Sequence, residues 1–148
     1  MRARFLDSSV FLHAYLKPKR SLTPREAAVK RAAQEVLVRV EEGEPVVTTV
    51  VHVSEVANVV EARLGLSYSI KLVAGGILSK ENIEVLPVEP RDFDASLDVA
   101  QRYSVSVNDA LAYVKMKEEG VEEVYTFDKH FHNMPGVKVL PRLPAGET

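Results

Sequence analysis

Four acidic residues sit in apolar surroundings: Asp7 in RFLDSSVFL, Glu55 in TTVVHVSEVANVV, Asp109 in VSVNDALAYV and Asp128 in EVYTFDKHF. Carboxylates rarely approach a core unless they are paired or hold a cation. No obvious set of cationic residues accompanies these four. An oxygen-only donor set suits a hard divalent ion such as Mg²⁺ or Mn²⁺. Such an ion lowers the pKa of a water and polarises a phosphoryl oxygen, so phosphodiester hydrolysis needs no covalent nucleophile. Asp7, Asp109 and Asp128 are the candidate metal ligands, and all four acids are candidate catalytic groups. Supporting roles fall to their neighbours. Ser8 and Ser9 would hydrogen-bond Asp7, Thr126 would orient Asp128 or a water, and Asn108 would cap a helix or touch substrate. Each acid also has an ordinary explanation. Asp7-Ser8-Ser9 can be an N-cap run, Glu55 a solvated helix residue, Asp109 a first-turn acid on a helix dipole, and Asp128 a turn residue. Their joint occurrence in these contexts favours the metal site.

The elements that must position these groups alternate between strand and helix. RARFL, residues 2–6, reads as a strand ended by Asp7-Ser8-Ser9, and Val10, Phe11, Ala14 and Tyr15 keep helical spacing after it. Thr23, Pro24 and Glu26 form a helix start with a capping box, and Ala28, Ala32, Val36 and Val40 carry its stripe to Gly43. A second strand spans 45–49. The helix after it places Val53, Val56, Ala57, Val60 and Leu64 on one face and closes at Gly65. Ser67 caps a further helix through Leu78, interrupted by Gly75-Gly76. A third strand spans 83–88, and helices start at Pro90 and at Asn108-Asp109. A fourth strand spans 123–127 and a fifth 137–140, with a frayed tail from about 141. This order predicts one α/β domain over 1–148 with a mainly parallel sheet. Ligands of such sheets bind beyond the carboxyl ends of the strands. If strands one and four are neighbours, all four acids converge on one rim.

Composition sets the bounds. The absence of cysteine excludes disulfides and thiolate metal sites. The net charge of −2 is not that of a polyanion magnet, but the rest of the chain carries +2 once the four acids are set aside. Basic residues gather early, at Arg2, Arg4, Lys17, Lys19, Arg20, Arg25, Lys30 and Arg31, and could form a local patch. No run reaches the roughly 18 apolar residues of a membrane span. The N-terminus lacks a signal-peptide h-region, so a cytoplasmic protein is expected. His52, His130 and His132 lie near the acids and are expected in packing or surface roles rather than in a zinc site. Tyr15, Tyr103 and Tyr113 are expected to pack rather than to stack on bases.

The ordered set of motifs resembles the PIN domains, and most closely the VapC-type toxins of VapBC toxin–antitoxin pairs. FLDSSVFL is similar to the family's first motif, VSEVANVVEARLG to the second, and VNDALAYVKMKEEGVEEVYTFDKHF to the third and fourth together. The resemblance runs from Arg4 to about Leu140. It implies a three-layer α/β/α sandwich and Mg²⁺- or Mn²⁺-dependent endoribonuclease activity. It also implies a homodimer, and inhibition by a small antitoxin whose C-terminal segment covers the active-site groove. The stretch from Lys17 to Gly43 is longer than in the most compact toxins, which leaves room for a stand-alone PIN nuclease in RNA processing. A non-catalytic RNA-binding or scaffold module would be expected to have lost some of the four acids. A phosphatase of the haloacid dehalogenase type would want a second Asp where Ser9 stands.

Overall fold

A computed structural model describes residues 3–143 of the chain. Its centre is a five-stranded, fully parallel sheet in the order β3-β2-β1-β4-β5. The strands are short: β1 Arg4–Leu6, β2 Val46–Thr49, β3 Ile83–Leu86, β4 Glu123–Tyr125 and β5 Lys138–Leu140. Consecutive strand residues point to opposite faces, and both faces here are buried. Leu6, Val46, Ile83 and Tyr125 enter one core with Val10, Phe11, Val36 and Val60. Phe5, Val47, Leu86 and Val124 enter the other with Ala112, Met116 and Phe131. The result is the expected α/β/α sandwich, and truncating a residue such as Phe5 would cost about 3–5 kcal/mol.

The helices are α1 Ser8–Tyr15, α2 Pro24–Glu41, α3 Val50–Leu64, α4 Leu66–Val73, α5 Pro90–Tyr103 and α6 Val107–Glu119. Helix α2 starts as its sequence dictates. The Thr23 side chain accepts from the Glu26 N–H, and the Glu26 side chain accepts from the Thr23 N–H. Its buried stripe is Val29, Ala33, Val36 and Val40. The expected Ala28 and Ala32 lie one position off, because the larger Val29 takes the core-facing place. Helix α3 buries His52, Val56 and Val60, while Leu64 at the expected end of the stripe is exposed. Gly65, at φ 97°, turns the chain directly into α4, so Ser67 is not the cap. The Gly75-Gly76 pair does not end that helix. It widens it into a π-helical turn, Ala74–Leu78, the usual form of a local insertion in a helix.

Strand ends shift by a residue or two. The second strand starts at Val46 and the fifth at Lys138, the third stops at Leu86 and the fourth at Tyr125, although the Thr126 N–H still donates to the Leu140 carbonyl of β5. The start of the first strand at Arg2 and most of the expected frayed tail lie outside the described residues. Among the described residues, no helix is long and apolar enough to cross a membrane.

Candidate functional site

Strands β1 and β4 are adjacent and parallel, so the residues following them emerge side by side. The Asp7 N–H donates to the Tyr125 carbonyl at 3.0 Å and extends the ladder one residue past β1. Asp7 occupies the N-cap position of α1, yet its side chain makes no capping bond. Hydroxyls divert it. Ser9 Oγ donates to Asp7 Oδ2 at 2.6 Å, and Thr126 Oγ1 donates to the same oxygen at 2.7 Å. Each hydroxyl also accepts a backbone N–H, Ser9 from Phe127 at 3.1 Å and Thr126 from Asp128 at 3.0 Å. The ends of β1 and β4 are thus tied together through the carboxylate and the two hydroxyls.

Glu55 projects from α3 towards the same place. Its Oε1 accepts from Ser8 Oγ at 2.8 Å and from Asn108 Nδ2 at 3.2 Å. Ser8 therefore serves Glu55 rather than Asp7. Asn108 is not the helix cap either: Ser106 caps α6, accepting from the Asp109 N–H at 3.1 Å. That leaves the Asn108 amide free to hold Glu55. Thr126 positions Asp7 by its hydrogen and Asp128 through the backbone, which combines the two roles read for it. Asp128 itself caps a short 3₁₀ helix, Lys129–Asn133, by accepting from the His130 N–H at 2.9 Å.

All four acids line one cavity of about 370 Å³ at the carboxyl end of the sheet, with Ser8, Ser9 and Asn108. Asp109 is 5% exposed, and its Oδ2 is buried without a hydrogen-bond partner. Burial is the first reason its carboxyl is pushed up to about 8, and a hydrogen bond with Asp128 and the charges of Asp7 and Asp128 add to it. For Asp128, burial opposes ionisation, but the bond with Asp109, the His130 N–H and the charges of His130 and Lys129 prevail and lower its pKa. The two carboxyls are thus pushed in opposite directions, Asp109 towards its protonated form and Asp128 towards its ionised form.

His52 is the feature that spacing alone did not reveal. It is 1% exposed, with Nδ1 at 2.7 Å from Thr49 Oγ1 and Nε2 at 3.1 Å from the Asn108 carbonyl. Its Nε2 also lies 3.9 Å from Asp7 Oδ1. Burial lowers its pKa despite the pull of Asp7 and Glu55. The imidazole thus acts as a neutral strut between β2 and the first turn of α6. The signal available was Thr49 three residues earlier, an N-cap threonine whose hydroxyl also accepts the Val51 and His52 N–H groups. His130 is exposed, as expected, and also reaches the acids. Its Nδ1 is 3.1 Å from Asp128 Oδ1, and one ligand atom each from Asp109, Asp128 and His130 fall within 4.8 Å of one another.

The profile of the PIN domain matches residues 4–137. The chain belongs to the PIN domain family. Solved structures with the same fold include VapC20 of Mycobacterium tuberculosis, a sarcin–ricin-loop-cleaving toxin. It is 20% identical, with a TM-score of 0.68 over 94% of this chain and 100% of that one. The DNA-bound VapBC of Salmonella typhimurium contains a chain 16% identical, with a TM-score of 0.62 over 95% of this chain and 98% of that one. A Pyrobaculum aerophilum protein, PAE2754, is 20% identical, with a TM-score of 0.58 over 93% and 88%. At these identities the likeness establishes the fold. No curated protein sequence matches the chain at a significant level. The haloacid dehalogenase alternative falls with the family assignment.

Proposed function

We propose that this PIN domain is a divalent-metal-dependent endoribonuclease that hydrolyses RNA phosphodiester bonds, and that it is the toxin of a toxin–antitoxin pair. The observation that carries the reading is the convergence of Asp7, Glu55, Asp109 and Asp128 on one cavity around the orphaned Asp109 Oδ2. A buried acceptor without a donor costs about 1–3 kcal/mol, and a cation in the cavity removes that cost. The donor set fits a hard ion, Mg²⁺ or Mn²⁺, because carboxylate oxygens dominate it.

Asp7, Asp109 and Asp128 would hold the ion. When bound, it supplies a Lewis acid at the phosphodiester and lowers the pKa of a water. Asp109 yields its proton on loading, since the neighbouring negative charge that favoured the proton is then neutralised. Asp7 is fixed by two hydroxyl donors on one oxygen, which leaves Oδ1 directed elsewhere. Glu55 has one oxygen held by Ser8 and Asn108, and its other oxygen would accept a proton from the attacking water. Thr126→Val removes a donor to Asp7 and the acceptor of the Asp128 N–H. We expect it to lower metal affinity or cleavage by roughly 10–100-fold, read by metal titration alongside a melting curve.

Two surfaces support the proposed partners. An apolar groove of about 510 Å³ between α1, α2 and α3 is lined by Leu12, Leu16, Leu22, Val29 and Val59. It adjoins the acid cavity through Leu12, which lines both, so an antitoxin segment lying in it would reach the acids. Leu66 and Ile70 of α4 are 59% and 56% exposed, an apolar stripe suited to a second copy. The deciding experiment is cleavage of a labelled single-stranded RNA panel with Mg²⁺, with Mn²⁺ and with EDTA, beside Asp7→Asn. Metal-dependent cutting that disappears in the folded variant is expected. Full activity in that variant would overturn the assignment.

A further inference from the structure

A polyanion approaching four carboxylates is repelled unless cations line its path. The location of those cations therefore indicates which way a strand leaves the site. The early basic run does not supply a single patch. Arg4 pairs with Glu123 at 3.0 Å and Glu44 at 3.6 Å, and Arg20 pairs with Glu26 at 2.7 Å. Lys30 donates to the carbonyls of Ala14 and Leu16 at the end of α1, and Arg63 donates to the Lys17 carbonyl. Of the cations lining the α1–α2–α3 groove, Lys30 and Arg63 are thus engaged with the chain's own backbone, while Lys17 and Arg25 line it as well.

The opposite rim differs. A cleft of about 680 Å³ opens beyond the carboxyl ends of β4 and β5 and meets the acid cavity at Asp128. Arg25, Lys129 and Arg142 line it, and all three are exposed. None of them forms an ion pair with a carboxylate of the described residues. Lys138, also in the cleft, is held by Glu123 at 3.6 Å. Among the described residues Asp128 is the sole acid on the cleft's lining, and Phe127 and Val139 add apolar surface. Cationic rims beside apolar surface match a single strand, whose phosphates and base faces need both.

We propose that single-stranded RNA runs from the acid cavity into this β4–β5 cleft, with its phosphates beside the scissile one held by Arg25, Lys129 and Arg142. The assignment rests on the nuclease reading for its direction, but it makes a separate claim about binding. Three residues distant in sequence, one from α2 and two flanking β4 and β5, then act as one phosphate track. The track shares Arg25 with the groove between α1, α2 and α3, whereas Lys129 and Arg142 line the cleft alone.

The test is equilibrium binding of a fluorescent single-stranded RNA over a salt series, with EDTA present so that no cleavage intervenes. Wild-type protein is compared with the double variant Lys129→Gln/Arg142→Gln. Arg39→Gln/Lys71→Gln serves as control, since these residues are exposed and outside the cleft. Each lost phosphate contact on a single strand flattens the log–log salt dependence by about 0.7, so the double variant should lose about 1.4. With lines meeting near 1 M salt, that corresponds to roughly 25-fold weaker binding at 0.1 M. The control should keep the wild-type slope, and all three proteins should melt alike. An unchanged slope in the cleft variant overturns the track even if the enzyme cuts RNA. A flattened slope with no cutting by wild type upholds the track and sinks the nuclease reading. Absence of any binding by wild type overturns both.

Discussion

Asp109→Asn is expected to abolish RNA cleavage while making the metal-free protein more stable. The loss follows from removing a carboxylate from the proposed ion site. Lewis-acid stabilisation is worth several kcal/mol, so a drop of roughly a thousandfold or more in rate is expected. The gain follows from Asp109 itself. Its folded carboxyl is pushed up to about 8, whereas an unfolded aspartate titrates near 3.9. Between these values the folded state holds a proton that the unfolded state has released. Asp109's contribution to stability is therefore fully present below about pH 4 and is lost as pH rises to about 8, with no further loss above. The amide variant lacks this term. Its advantage in melting temperature should be small at pH 4, grow through neutrality and level off above pH 8. The cavity is open to solvent on one side, so the plateau should reach about 2 kcal/mol rather than the full linkage value, or roughly 5 °C for a chain of this size. Melting curves in EDTA across this range check it, and a variant less stable than wild type at pH 8 would refute the account of Asp109.

How much of this was legible in the sequence depends on the kind of interaction. Short apolar runs and helical spacing located the five strands and six α-helices, because the two-sided burial of a parallel sheet leaves continuous apolar signals, but not the 3₁₀ helix Lys129–Asn133. Val46 and Val47, for example, enter opposite cores. Capping at Thr23 was legible because its partners are three residues apart. The four acids were legible because each interrupts an apolar run. Contacts between distant segments were not. Nothing local says that Ser8 reaches Glu55 forty-seven residues on, or that Thr126 reaches back to Asp7. Asn108 looked like a cap because it precedes an acid at a helix start, yet Ser106 two residues earlier is the cap and accepts from the Asp109 N–H. The early basic run looked like a patch because charge was counted along the chain. In three dimensions Arg4 and Arg20 are paired off, and Arg25 alone of the early set joins Lys129 and Arg142. The packing role expected of His52 is met, but its partners were not legible. A histidine in a valine-rich helix gives no sign that the strand end, the α6 turn and an aspartate all face it.

Loading with a divalent ion should stabilise the wild-type protein and release a proton as it does so. A ligand that binds only the folded state adds about 2.7 kcal/mol at a hundredfold excess over its dissociation constant. Mg²⁺ or Mn²⁺ should accordingly raise the melting temperature by several degrees, and EDTA should reverse it. Below about pH 8 the proton on Asp109 must leave before the carboxylate can serve as a ligand. Apparent affinity should then rise about tenfold per pH unit up to about 8 and flatten beyond it. Calorimetry in buffers of different ionisation enthalpy would count the proton directly. In Asp109→Asn the proton release should vanish together with most of the stabilisation. In Asp7→Asn the stabilisation should fall while the raised carboxyl of Asp109 moves back towards its ordinary range, because one of the charges that pushed it up is gone. Ion binding that is independent of pH between 5 and 8 would mean that Asp109 is not a ligand. The site would then have to be rebuilt around Asp7, Asp128 and His130.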